Sequence, residues 1–161
     1  MNIPARLLRS GLLAAIIFAG CLPGWSAETK LIPRDLVDAA GKKVDRETLK
    51  GKVVALYFAT GDNSSCRAFA AVLEAFRARF SDEFAVILVS RDKTPSAMTE
   101  QFRRFGKNWL AVPYASPERE KLAQRLEVEG VPTLVVLGLN GRIVDENGCA
   151  TLSALGEDEK A

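Results

Sequence analysis

Three cysteines, Cys21, Cys66 and Cys149, stand in a chain of 161 residues that contains no histidine. Without histidine, Ser/His/Asp triads, Cys/His dyads and histidine metal sites are all excluded. No two cysteines are close enough in sequence to supply the paired ligands of a small zinc site, so neither a metal nor a cofactor is expected. Cys66 has the most suggestive surroundings, in Thr60-Gly61-Asp62-Asn63-Ser64-Ser65-Cys66-Arg67. A thiol at the start of a helix can ionise readily, because unpaired N–H groups and the helix dipole favour the thiolate. The residues just before this cysteine are of another kind: Asn63, Ser64 and Ser65 are helix-capping types whose side-chain oxygens accept bonds from free backbone N–H groups.

The surrounding pattern supplies the elements that hold this corner. Residues 53–58, Val-Val-Ala-Leu-Tyr-Phe, are a continuous apolar run, as expected of a strand covered on both faces. Phe69, Leu73, Phe76 and Phe80 then recur at helical spacing, predicting an amphipathic helix over 66–80. A second buried strand follows at 84–89, and strand, helix, strand at this spacing implies a parallel pair joined by a right-handed crossover. Helices are predicted over 96–105, entered through Thr94-Pro95-Ser96, and over 117–126, with Pro117 in the first turn. Strand residues 133–137, the turn Leu139-Asn140-Gly141 and strand residues 142–146 read as a hairpin. Earlier, 33–38 reads as a short edge strand, Ala39-Ala40-Gly41 as a turn and 45–49 as one helical turn. The expected fold class is α/β: a mixed central sheet, a parallel unit plus an antiparallel hairpin, with helices on both faces.

Residues 1–27 differ in kind. Arg6 and Arg9 precede an apolar run over 11–22, broken by Pro23-Gly24 and followed by the small residues Ser26 and Ala27. These are the marks of an export signal, and the run is shorter than the ~20 residues needed to span a bilayer. The expected location is therefore periplasmic or secreted. A second processing route is open at Phe18-Ala19-Gly20-Cys21, which resembles a bacterial lipoprotein box. Cys21 would then carry a lipid anchor, the single expected link to a membrane, and the signal would end before it. Without residues 1–27 the chain loses two arginines and no acid, which balances its charge. Nothing clusters Lys and Arg on one face, so no nucleic-acid partner is expected. With 48% hydrophobic residues the remainder suffices for one domain, 28–155, with residues 156–161 as a frayed acidic tail.

Three blocks together carry a family resemblance: Tyr57-Phe58-Ala59-Thr60 running into Cys66-Arg67-Ala68-Phe69, Trp109-Leu110-Ala111-Val112-Pro113-Tyr114, and Gly130-Val131-Pro132-Thr133-Leu134-Val135. Over about residues 31–152 the chain resembles the nucleoredoxin and tryparedoxin branch of the thioredoxin superfamily. The resemblance implies a thioredoxin fold, thiol-disulfide exchange and a cis peptide bond before Pro132. Family members carry Trp-Cys-Pro-Pro-Cys-Arg at the corner. Register through Tyr57-Phe58 and Arg67 puts Asp62 on the tryptophan, Asn63 on the first cysteine, Ser64 and Ser65 on the prolines, and Cys66 on the second cysteine. The attacking sulfur is absent, and exchange begins with thiolate attack on a disulfide sulfur.

Cys66 then has two readings. It is either a lone reactive thiol, able to pair with glutathione or a client, or a buried small hydrophobe kept inert by apolar surroundings. Peroxide reduction by Cys66 is disfavoured, because peroxidase-type cysteines of this fold class usually have Thr three positions earlier, where Asn63 stands. The hairpin returns Cys149 to the end of the sheet where Pro132 lies, which makes a Cys66 to Cys149 disulfide conceivable if the alpha carbons come within ~7 Å. Val131, Pro132, Cys149 and Trp109 are the expected groove residues, with Tyr114 nearby, although single aromatics such as Trp109 and Tyr114 more often serve as core or rim packing. Two functions remain open: a non-catalytic module, expected as a monomer, that binds a peptide or protein client, and a monothiol oxidoreductase working through Cys66 with Cys149 or an external thiol.

Overall fold

The computed structural model describes residues 31–158. The expected export signal over 1–27 and the lipid attachment at Cys21 lie outside the described residues. A seven-stranded mixed sheet runs in the order β2-β1-β5-β4-β3-β6-β7. Its strands are β1 (Leu36–Val37), β2 (Lys43–Val44), β3 (Val53–Ala59), β4 (Phe84–Ser90), β5 (Leu110–Ala111), β6 (Thr133–Leu137) and β7 (Ile143–Asp145). The helices are α1 (Ser64–Arg79), α2 (Pro95–Phe105), α3 (Glu118–Arg125) and α4 (Gly148–Asp158). A 3-10 turn at Arg46–Leu49 is capped by Asp45, whose side chain accepts from Glu47 N–H.

The two long apolar runs become the centre of the sheet. β3 and β4 pair in parallel from Val53 opposite Phe84 to Ala59 opposite Ser90, joined by α1 as the crossover. On its other side β3 pairs antiparallel with β6, Phe58 opposite Thr133. Every residue of β3 is buried, so alternate side chains feed two separate cores. Val53, Ala55, Tyr57 and Ala59 point to the layer that holds Cys66, Phe69, Leu73, Met98, Phe102 and Leu152, from α1, α2 and α4. Val54, Leu56 and Phe58 point to the other layer, with Leu122 and Ala123 of α3. The Phe stripe of α1 is core or core-flanking, as its spacing predicts.

Several expectations are corrected in detail. The strand expected over 33–38 is only two residues long and is not an edge: it lies between β2 and β5. β2 and β5 pair over two residues each, too short to leave a periodic signal in the sequence. The segment 156–161, expected to fray, gives residues 156–158 to the last turn of α4. The hairpin between β6 and β7 turns through Gly141 at φ +75°, a conformation open to glycine at little cost.

Candidate functional site

The corner between β3 and α1 is built by hydrogen bonds from four directions. Asn63 caps α1: its Oδ1 accepts from Cys66 N–H at 3.0 Å, with the backbone extended at φ −79° and ψ 121°. Arg67, one turn in, folds back so that Nη1 donates to Gly61 O at 3.0 Å and Asp62 O at 2.8 Å. From the end of β4, the buried carboxylate of Asp92 accepts Gly61 N–H at 2.9 Å and the Ser90 hydroxyl at 2.7 Å. A Cβ at Gly61 would fall 3.2 Å from Gln101 Cβ, tighter than ordinary packing, so the loop is drawn close against α2. Tyr57 closes the underside, its hydroxyl donating to Cys66 O at 2.7 Å. That bond satisfies a phenol buried in the β3 layer.

Cys66 is 1% exposed and free. Burial is the largest influence on its thiol and pushes the pKa up. The Thr60 backbone and the Tyr57 hydroxyl pull the other way, while the carboxylates of Asp62 and Asp92 add to the rise. Cys149 is half-buried in the first turn of α4, its Sγ 3.8 Å from Pro132 O. Burial, the largest cause, with Cys66 and Asp145 adding to it and the Leu134 backbone opposing, pushes this thiol up to about 11. Both sulfurs are therefore thiols at neutral pH. Alkylation of Cys149 is expected to quicken about tenfold per pH unit from pH 7 to 10, because only the thiolate reacts. A rate that levels off below pH 9, read by mass spectrometry of the labelled peptide, would contradict this environment.

The peptide bond between Val131 and Pro132 is cis. Val131 precedes the first ladder residue of β6 and Pro132 lies beside Cys149. The structure thus gathers Asn63, Cys66, Val131, Pro132 and Cys149 at one end of the sheet. Trp109 does not join them. It is 2% exposed in the α1 layer, edge-on to Tyr57 at 5.8 Å, and its Nε1 donates to Glu74. Of the two readings open for Trp109, groove and core, the structure shows the core: a ring with one polar atom buries well once that atom has a partner. Tyr114 instead braces the far side of the corner, under the guanidinium of Arg119 at 4.1 Å, and donates its hydroxyl to Lys93 O. Asp92 went unmarked in the sequence because one carboxylate in a run of mixed charge carries no periodic or motif signal.

Residues 51–143 match the family described as Thioredoxin-like. The chain is 32% identical to Probable nucleoredoxin 1 of Arabidopsis thaliana, over 76% of this chain and 22% of that protein. It is 33% identical to Nucleoredoxin-like protein 1 of Xenopus laevis, over 68% of this chain and 55% of that protein. The match therefore spans about half, or far less, of these relatives' length. Among solved structures, tryparedoxin I from Crithidia fasciculata is 31% identical with a TM-score of 0.73, covering 83% of this chain and 95% of that one. A thioredoxin from Wuchereria bancrofti is 32% identical with a TM-score of 0.71, covering 77% and 88%.

Proposed function

The chain belongs to the thioredoxin superfamily, in its nucleoredoxin- and tryparedoxin-like branch, and from that premise we propose that it is a binding module without dithiol turnover. The observation that carries this reading is the bond from Cys66 N–H to Asn63 Oδ1 at 3.0 Å. On the family register, Asn63 stands where the attacking sulfur belongs. An amide there accepts the helix N–H that would otherwise stabilise a thiolate, and it has no electron pair able to open a disulfide.

Cys66 does not replace the missing group. Its sulfur lies in the layer beneath the corner, 1% exposed, with its pKa raised by burial. A monothiol cycle through Cys66 would need an exposed thiolate, so the module reading is favoured. What persists is a surface: the backbone at Val131, ahead of the β6 ladder, beside Pro132 and the capped loop at Asn63. An extended peptide or protein client could add main-chain bonds there. The proposal takes the protein as exported, on the basic flank and apolar run of residues 1–27.

Binding at this surface is tested by nuclear magnetic resonance titration with an unfolded, carboxymethylated polypeptide. Amide signals of Asn63, Val131 and Thr133 are expected to shift, and to shift equally in Cys66→Ser. Perturbation confined to other faces, or lost with the Cys66 sulfur, would overturn the reading.

A further inference from the structure

The client-binding reading leaves two sulfurs, the buried Cys66 and the half-buried Cys149, without a role, and their placement is not independent. Cys66 in the first turn of α1 and Cys149 in the first turn of α4 pack into the same layer on the same face of the sheet. Tyr57 of β3, whose hydroxyl donates to Cys66 O at 2.7 Å, stands opposite Leu134 in the β3–β6 ladder, and Gly148, the residue before Cys149, rests on that same Leu134. Cys149 comes this deep because its neighbour is glycine. A Cβ at Gly148 would stand 3.0 Å from Leu134 O and 2.9 Å from Leu134 Cδ2, so any larger residue would lift the start of α4 off β6. With glycine there, the Cys149 sulfur reaches the Pro132 carbonyl.

We propose that Cys66 and Cys149 are a two-electron redox pair, whose disulfide ties the first turn of α1 to the first turn of α4 when the protein meets a low-molecular-weight disulfide. The reaction proceeds in two exchanges. The half-buried Cys149 thiolate attacks a sulfur of the small disulfide, forming a mixed disulfide and releasing one small thiol. The Cys66 thiolate then attacks the Cys149 sulfur and expels the second small thiol. Two protein thiols are oxidised, one small disulfide is reduced to two thiols, and the two protons leave with those thiols. At neutral pH only ~0.01% of a thiol that titrates near 11 is ionised, so closure is slow and stoichiometric. It records the redox state of the compartment and does not turn over substrate. Asp145 of β7, Asp62 and Asp92 of the corner loops, and Tyr57 of β3 are the titratable groups around the pair. Closure would draw the Cys149 sulfur off the Pro132 carbonyl and so couple oxidation to the client surface.

The test uses the full chain carrying Cys21→Ser, incubated with oxidised glutathione at pH 8.5, denatured, alkylated and measured as intact mass and peptides. The expected product has lost two hydrogen masses, accepts no alkyl group and yields a cross-linked peptide joining Cys66 to Cys149. Its melting temperature rises by about 10 °C over the reduced form, and that rise is absent when Cys149→Ser is added, a change at a half-buried site that keeps the fold. Two alkylatable cysteines after oxidation, a stable glutathione adduct on Cys149 without closure, or a cross-link between two chains would each overturn the pair. These readouts do not involve a client, so they fail or succeed separately from the binding reading.

Discussion

Replacing Asn63 with cysteine is expected to give a protein that reduces insulin disulfides at least ~100-fold faster than the present chain, with dithiothreitol as the terminal reductant. The fold already supplies what a nucleophilic sulfur needs at that position. The residue lies at the N-cap of a 16-residue helix, with Cys66 N–H aimed at its side chain. Helix N-termini bring thiol pKa values down to ~3.5–7.5, so most of a new thiol there would be ionised at pH 7. Cys66, three residues on in the first turn, is then placed to release the mixed disulfide, as an inner sulfur that needs access only to its neighbour. Loss of the amide cap costs about 1 kcal/mol, which a domain of this size tolerates. In the double variant Asn63→Cys, Cys66→Ser the reaction should stop at a trapped mixed disulfide. A folded single variant that remains at the uncatalysed rate would mean that the corner lacks more than a sulfur.

The largest stability effect at the site is expected from Asp92→Ala, a loss of about 3 kcal/mol in urea denaturation. The carboxylate is 8% exposed and serves two donors, Gly61 N–H and the Ser90 hydroxyl. Truncation strands the buried Ser90 hydroxyl and the part-buried Gly61 N–H, at about 1–3 kcal/mol for each unsatisfied group, moderated by whatever water enters. Asp92→Asn keeps an acceptor for Gly61 but loses the charge, and should cost about half as much. Amide exchange at Gly61 should accelerate in step with the loss, since Asp92 alone accepts that N–H among the described bonds. A change under ~0.5 kcal/mol for Asp92→Ala would show that the loop is held by Arg67 and Asn63 instead.

The parts of this fold that were legible in sequence are those whose signal is local. The apolar runs of β3 and β4 and the Phe spacing of α1 each extend over enough residues to fix both the element and its buried face. The cap at Asn63 was legible for the same reason: its partner is three residues away. The site's supports were not. Asp92 reaches Gly61 across 31 positions, and Trp109 reaches Glu74 across 35. Contacts of that span depend on strand order, which short pieces such as β5 do not announce. A lone Trp109 reads equally as groove or core from sequence, and what decides for the core is the Glu74 carboxylate that accepts its N–H. The nearness of Cys149 to Pro132 followed from hairpin geometry alone, because an antiparallel return leaves few places for the next residue to be.

Turnover by the unaltered protein is the most direct test of the central claim. In a dithiothreitol-driven insulin reduction assay at pH 7, the rate with the protein present is predicted to match the rate without it. A rate within tenfold of a two-cysteine tryparedoxin assayed alongside would contradict the claim that Asn63 has displaced the reacting sulfur.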